Sequence, residues 1–87
     1  MRYKAGTISI DNSWYHLGNS KLIIGFSLFS TDGNFEVELR PKGTSEFGDI
    51  IPGFINVPMS ENAECVDIRV RNSGSGSIDL NYFIKTQ

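Results

Sequence analysis

The stretch RNSGSGSIDLNYF, residues 71–83, sets a run of Ser and Gly between two segments that alternate polar and apolar residues. Such a run reads as a phosphate-binding loop, a linker or a turn. A phosphate loop places its glycines between a strand and a helix and usually closes with Lys-Ser or Lys-Thr, and residues 73–77 meet neither condition. A linker has unpaired flanks, whereas both flanks here carry strand periodicity. Upstream, CVDIRVR (65–71) sets Val66, Ile68 and Val70 against Asp67, Arg69 and Arg71. Downstream, SIDLNYFIK (77–85) sets Ile78, Leu80, Tyr82 and Ile84 against Asp79, Asn81 and Phe83. Opposing Val70 to Ile78 brings Ile68 to Leu80, Val66 to Tyr82 and Arg69 to Asp79, so the two faces stay separate. The reading is a β-hairpin whose tip lies within Ser73–Gly76, on a loop of three residues, Ser73–Ser75, or five, Asn72–Gly76, where Gly74 and Gly76 supply positive φ for a bulged turn.

The same test applies upstream. In LFSTDGNFEV (28–37), a two-residue Asp32-Gly33 turn of type I′ sets Leu28 against Val37 and Phe26 against Leu39. FEVELR (35–40) alternates with Phe35, Val37 and Leu39 inward. KLIIGFSLF (21–29) places Leu22, Ile24, Phe26 and Leu28 on one face and Ile23 and Phe29 on the other. TISI (7–10) is a further strand, and SWYHL (13–17) and DIIPGFINV (49–57) are weaker ones. Nine Gly, six Phe, three Tyr and one Trp, with Ala only at 5 and 63, are a β composition. These features predict an all-β fold: a small antiparallel β-sandwich or barrel, jelly-roll-like, with about seven strands in a single domain over 1–87.

At 87 residues the core is thin, and partners, metals or disulfides commonly supplement one of this size. Cys65 is the lone cysteine, so no intrachain disulfide can form. The net charge is -2 with no Lys/Arg cluster, which argues against a nucleic-acid partner. No segment approaches the roughly 20 apolar residues of a membrane span, and MRYKAGTISID lacks the apolar core of a secretion signal.

Candidate chemical groups are few. His16 is the sole histidine and has no second His or Cys pair for a zinc site, so it reads as an ordinary strand residue. Cys65 alternates onto the polar face beside Glu64, away from the positive charge that a reactive thiol requires. Glu36 and Glu38 read as solvated strand carboxylates, and Asp32 with Asn34 as turn residues. No catalytic, cofactor or metal set is expected, and the chain reads as non-enzymatic. Trp14, Tyr15 and His16, next to Asp11, Asn12 and Asn19, form an aromatic cluster that reads as a glycan-stacking platform at Trp14 and Tyr15, as a subunit contact, or as a core anchor at Trp14 with Tyr15 facing out. The strongest functional signal is surplus apolar surface: Ile23, Phe29 and Phe83 oppose their strands' core faces, and residues 50–59 add Ile50, Ile51, Phe54, Ile55 and Met59. Either strand 22–29 is covered on both sides within one subunit or a partner covers it, and Ile23, Phe29 and Phe83 are the candidate oligomer interface.

The closing pattern ECVDIRVRNSGSGSIDLNYFIK, with its short Ser/Gly turn and polar-aromatic last strand, resembles small β-sandwich structural proteins of tailed bacteriophages, such as capsid decoration proteins and fibre modules. The resemblance implies a virion component made in the host cytoplasm, associating with copies of itself and with other virion proteins, with no cofactor. The same hairpin also looks like the end of some carbohydrate-binding sandwich modules. That alternative implies a glycan ligand at Trp14 and Tyr15.

Overall fold

The computed structural model describes residues 2–18, 22–48, 51–52 and 65–87. Among these residues seven strands follow one another: β1 (Arg2–Ile10), β2 (Tyr15–His16), β3 (Ile23–Phe29), β4 (Phe35–Pro41), β5 (Ile51–Pro52), β6 (Cys65–Asn72) and β7 (Ile78–Thr86). All pairings among them are antiparallel, and the described residues contain no helix. The expected all-β architecture is therefore observed. Residues 50–59, apart from the backbone of β5, and Asn19 lie outside the described residues.

The sheet is continuous but curls into two arms. One arm has the order β1-β7-β3 and the other β2-β6-β4-β5; a single pair, Ile23 with Cys65, joins β3 to β6. The chain crosses between arms at β1/β2, β2/β3, β3/β4 and β6/β7, a jelly-roll-like alternation that lapses where β4, β5 and β6 follow one another in one arm. Each strand turns its apolar face inward. Ile10, Phe26, Leu28, Ile78, Leu80 and Ile84 from one arm meet Phe35, Val37, Ile68 and Val70 from the other, and Leu17, Ile23 and Cys65 complete the core.

This topology corrects both expected hairpins. β3 pairs with β7, setting Leu28 against Tyr82, and β4 pairs with β6, setting Val37 against Val70. Likewise β6 does not pair with β7: Ile78 lies against Ile10 and Leu80 against Ile8. Arg69 faces Glu38 and not Asp79. The loops are arches that carry the chain across the core. Gly33 and Gly74 lack positive φ, and Gly76, at 81°, is the only one of the three with it. The arches stack at one end. Ser30 Oγ donates to Asp79 O at 2.7 Å, and the Asp79 N–H donates to Asp32 Oδ2 at 2.9 Å. The Ser73 N–H reaches Asn34 O at 3.2 Å, and the Asn72 N–H reaches Asp11 O at 2.7 Å. Within its own arch the Asn72 amide donates to Gly76 O and accepts from the Gly74 N–H.

Two face assignments are also corrected, and they share a cause. Ile23 is fully buried and not outward, and Cys65 is buried at 4% exposure and not on the polar face. The register of β3 slips between Ile23 and Gly25, and that of β4 with β6 slips where Arg40 pairs Asp67 but Pro41 pairs Cys65. A bulge shifts every side chain beyond it to the other face. Both slips lie at the corner where Ile23 meets Cys65.

Candidate functional site

Among the described residues, two outward faces and a groove beside Tyr15 carry surface chemistry; a second groove, of about 330 Å³, lies between the arches at Asp32–Asn34 and Asn72–Ser75. The first face lies over β2, β6 and β4. An Asx turn, in which the Ser13 N–H donates to Asp11 Oδ1 at 2.8 Å, redirects the chain after β1. It then runs antiparallel to β6, with Tyr15 against Val70, His16 against Arg69, and the Leu17 N–H donating to Ile68 O at 2.7 Å. Alternation sends Trp14 and His16 outward, so the two rows across the sheet are His16–Arg69–Glu38 and Trp14–Arg71–Glu36.

The Arg69 and Arg71 guanidiniums are neutralised where they stand. Arg69 donates through Nε and Nη2 to Glu38, and Arg71 donates through Nε to Glu36 at 2.8 Å. The Arg69 guanidinium carbon lies 4.1 Å from the Phe47 ring centroid and 4.5 Å from that of Trp14, and Arg71 lies 4.3 Å from Trp14. Phe47 is brought in by a tight loop after β4, where Gly43 has φ 84° and the Gly48 N–H returns to Leu39 O. His16 meets Phe47 edge-on at 5.7 Å and holds Asp67 through Nδ1 at 2.7 Å. Glu36 and Glu38, read as solvated carboxylates, are thus partners of a stacked arginine pair. The complementary segments EVE (36–38) and RVR (69–71) carry that signal in the sequence, visible once β4 is placed beside β6.

Trp14 and Tyr15 do not form one platform. Trp14 is half-buried under the two guanidiniums, whereas Tyr15, opposite core-facing Val70, turns to the other side of β2 and is 45% exposed. There it borders a groove of about 250 Å³ between the end of β1, the first arch and Ser77.

The second face lies over β1-β7-β3. Register sets Ser27 against Phe83 and Phe29 against Asn81, so Phe29 and Phe83 are diagonal neighbours on the outer surface. Tyr3 packs on Phe83 at 5.4 Å between centroids. Phe29 is 38% and Tyr3 60% exposed. Of the three interface candidates, the fold brings Phe29 and Phe83 together and removes Ile23 to the core. Tyr3 is the member that sequence reading missed, because alternation was recognised only from Thr7 onward.

Among the described residues no positive charge is placed to activate Cys65. Burial, then the nearby Asp67 charge, pushes its thiol up to about 11. No family model, no curated protein and no solved structure matches this chain significantly.

Proposed function

We propose that this chain is a non-enzymatic structural protein that self-associates through the outer face of β1-β7-β3. We further propose that it is a virion component of a tailed bacteriophage, of capsid decoration or fibre type. One observation carries the association: Phe29, Phe83 and Tyr3 neighbour one another on the face opposite the core of the described residues, with Phe29 and Tyr3 exposed. The phage setting rests on the resemblance of the C-terminal strands, with which a small antiparallel all-β fold is compatible. The chemistry of the candidate groups supports a non-enzymatic role. The one thiol is buried with its pKa raised, the opposite of an activated nucleophile, and the one histidine is held by Asp67 and Phe47.

Sedimentation equilibrium from micromolar to millimolar protein tests the association. A closed oligomer, or mass rising with concentration, is expected; a monomer throughout that range overturns the reading. For the virion assignment, mass spectrometry of purified phage particles should find the chain at a fixed copy ratio to the major capsid or tail protein.

A further inference from the structure

β1 ends the strand order β1-β7-β3-β6-β4-β5, and among the described residues it pairs with β7 alone. That ladder runs without a bulge from Arg2 opposite Thr86 to Ile10 opposite Ile78. The direction of its backbone groups follows from Asp79, which lies opposite Ser9. Asp79 O accepts from Ser30 Oγ and the Asp79 N–H donates to Asp32 Oδ2, so both groups point toward the β3 side of β7 and away from β1. Opposed residues in an antiparallel ladder exchange both bonds or neither, in alternation. The even-numbered residues of β1 therefore bond β7, and Ala5, Thr7 and Ser9 turn their N–H and C=O groups to the open edge. The strand holds no proline, and residues 2–7 are exposed. Its one protection is charge, from Arg2 and from Lys4, whose Nζ lies 5.9 Å from the Tyr82 ring centroid. Beyond Lys4 the edge is a template for another strand.

We infer that two copies of this chain pair antiparallel through their β1 edges, about a two-fold axis at Gly6. Ala5 of each copy then faces Thr7 of the other, Lys4 faces Ile8 and Arg2 faces Ile10, so β1 opposes itself along its whole length. Ala5 and Thr7 exchange N–H···O=C bonds on both sides of the axis, edge-facing groups meeting edge-facing groups. Charge selects this register. Parallel pairing would set Arg2 on Arg2 and Lys4 on Lys4, and an antiparallel register centred on Lys4 would oppose the two lysines. Centred on Gly6, the basic start of each strand runs beside the end of the other, where Asp11 follows. Parity also holds: Ile8 and Ile10 stay on the core side in both copies, and the outer faces join into one. The edge contact goes beyond the face contact proposed above and does not rest on it, because backbone groups make it and the aromatic side chains take no part.

The test is hydrogen exchange of the full chain across a wide concentration range, with NOEs between isotopically labelled and unlabelled copies. As concentration rises, the amides of Ala5, Thr7 and Ser9 should gain protection. An intermolecular NOE should join Lys4 Hα to Ile8 Hα, which lie too far apart along one extended strand to meet within a copy. Ala5→Pro deletes a donor that β7 does not use, and the two-fold axis deletes it twice, so dimerisation should weaken at least about tenfold. Ala5→Lys keeps the N–H at an exposed position but sets like charges diagonally across the axis. It should weaken dimerisation too, and it decides the matter if proline disturbs β1. Phe29→Ser, which takes area from the aromatic face, should leave the protection and the NOE in place. The inference fails if these amides exchange rapidly at every concentration, or if both Ala5 variants dimerise as the parent does. It fails equally if the amides are fully protected at the lowest concentration, since the edge is then covered within one subunit.

Discussion

Gly18 sits against Asp67 so closely that a Cβ at position 18 would overlap the Asp67 carboxylate and come within 2.9 Å of its Cα. The contact is productive because the Gly18 N–H donates to Asp67 Oδ1 at 2.9 Å, while the same carboxylate accepts from the Ile68 N–H and from His16. One carboxylate therefore fastens the end of the 14–18 segment to β6. Backbone cannot retreat as a flexible side chain would, so Gly18→Ala must either strain the segment or break its bonds to Asp67. The expected cost is about 1–3 kcal/mol. At about 4–8 °C per kcal/mol for a domain of this size, the melting temperature should fall by about 10 °C. A change within error would show that the segment moves aside without loss.

The strand order makes a spectroscopic prediction. Cross-strand backbone NOEs between Hα and amide protons should link Val37 with Val70 and Leu28 with Tyr82, and no backbone NOE should link Val70 with Ile78 or Leu28 with Val37. The reverse pattern would restore the hairpins and dismiss the jelly roll.

Strand positions were legible in the sequence, because β3, β4, β6 and β7 each show period-two alternation across most of their length. Partners were not. Alternation reports that Leu28 and Val37 both point into the core, and it does so equally whether they sit side by side in a hairpin or face each other across an arch. Turn chemistry did not break the tie. Asp32-Gly33 has the composition of a type I′ turn, but Asp32 uses its side chain to hold Asp79 N–H, and Gly33 keeps a negative-φ conformation with Ile78 in contact range of a Cβ. The faces of Ile23 and Cys65 were illegible for another reason: a bulge inverts parity beyond it, and nothing local in KLII or ECVD marks one. The stacked arginine face depended on knowing that β4 lies beside β6, so it was hidden by the same missing partnership.

The burial of Cys65 reverses what alternation implied for substitution there. Cys65→Ser places a hydroxyl in an apolar corner and should cost about 1–3 kcal/mol, where a surface cysteine would tolerate the change. The thiol also makes stability depend on alkaline pH. Its folded pKa of about 11 lies above the ordinary 9.0, so the unfolded chain loses the proton first. The contribution is complete below pH 9 and is lost as pH rises toward 11, about 2–3 kcal/mol by the end of that window. Other groups titrate there too, so the measurement is the difference in denaturant midpoint between the parent and Cys65→Ala across pH 8–11. A parallel pair of curves would contradict the burial.

Arg69 binds Glu38 while stacked between Phe47 and Trp14, which a lysine cannot reproduce. Arg69→Lys should destabilise by about 1 kcal/mol. A double-mutant cycle of Arg69→Ala with Glu38→Ala should give a coupling energy of about 1 kcal/mol, since both side chains are largely shielded from solvent. Trp14, the only tryptophan, reports the same change optically: its emission should shift to longer wavelength when Arg69 or Arg71 is replaced by Ala. Unchanged emission in both variants would mean that the guanidiniums do not cover the indole in solution.

The proposed association surface is best tested by contrast with the residue that alternation grouped with it. Ile23 is fully buried at the corner of the two arms, so Ile23→Ser should cost about 2–5 kcal/mol and unfold much of the protein, whatever its oligomeric state. Phe29 has 38% of its surface exposed on the outer face, and Phe83 lies diagonally beside it against Tyr3. Replacing either with Ser removes aromatic area that a second copy would cover, worth roughly 25 cal/mol per Å² buried. Association should weaken in both variants, and the concentration dependence of the parent's melting temperature should flatten. At low concentration, where the parent is dissociated, Phe29→Ser should melt close to the parent. If Phe29→Ser and Phe83→Ser instead behave like Ile23→Ser, unfolding at every concentration with no change in mass beforehand, then the aromatic face supports the subunit alone and self-association loses its main support.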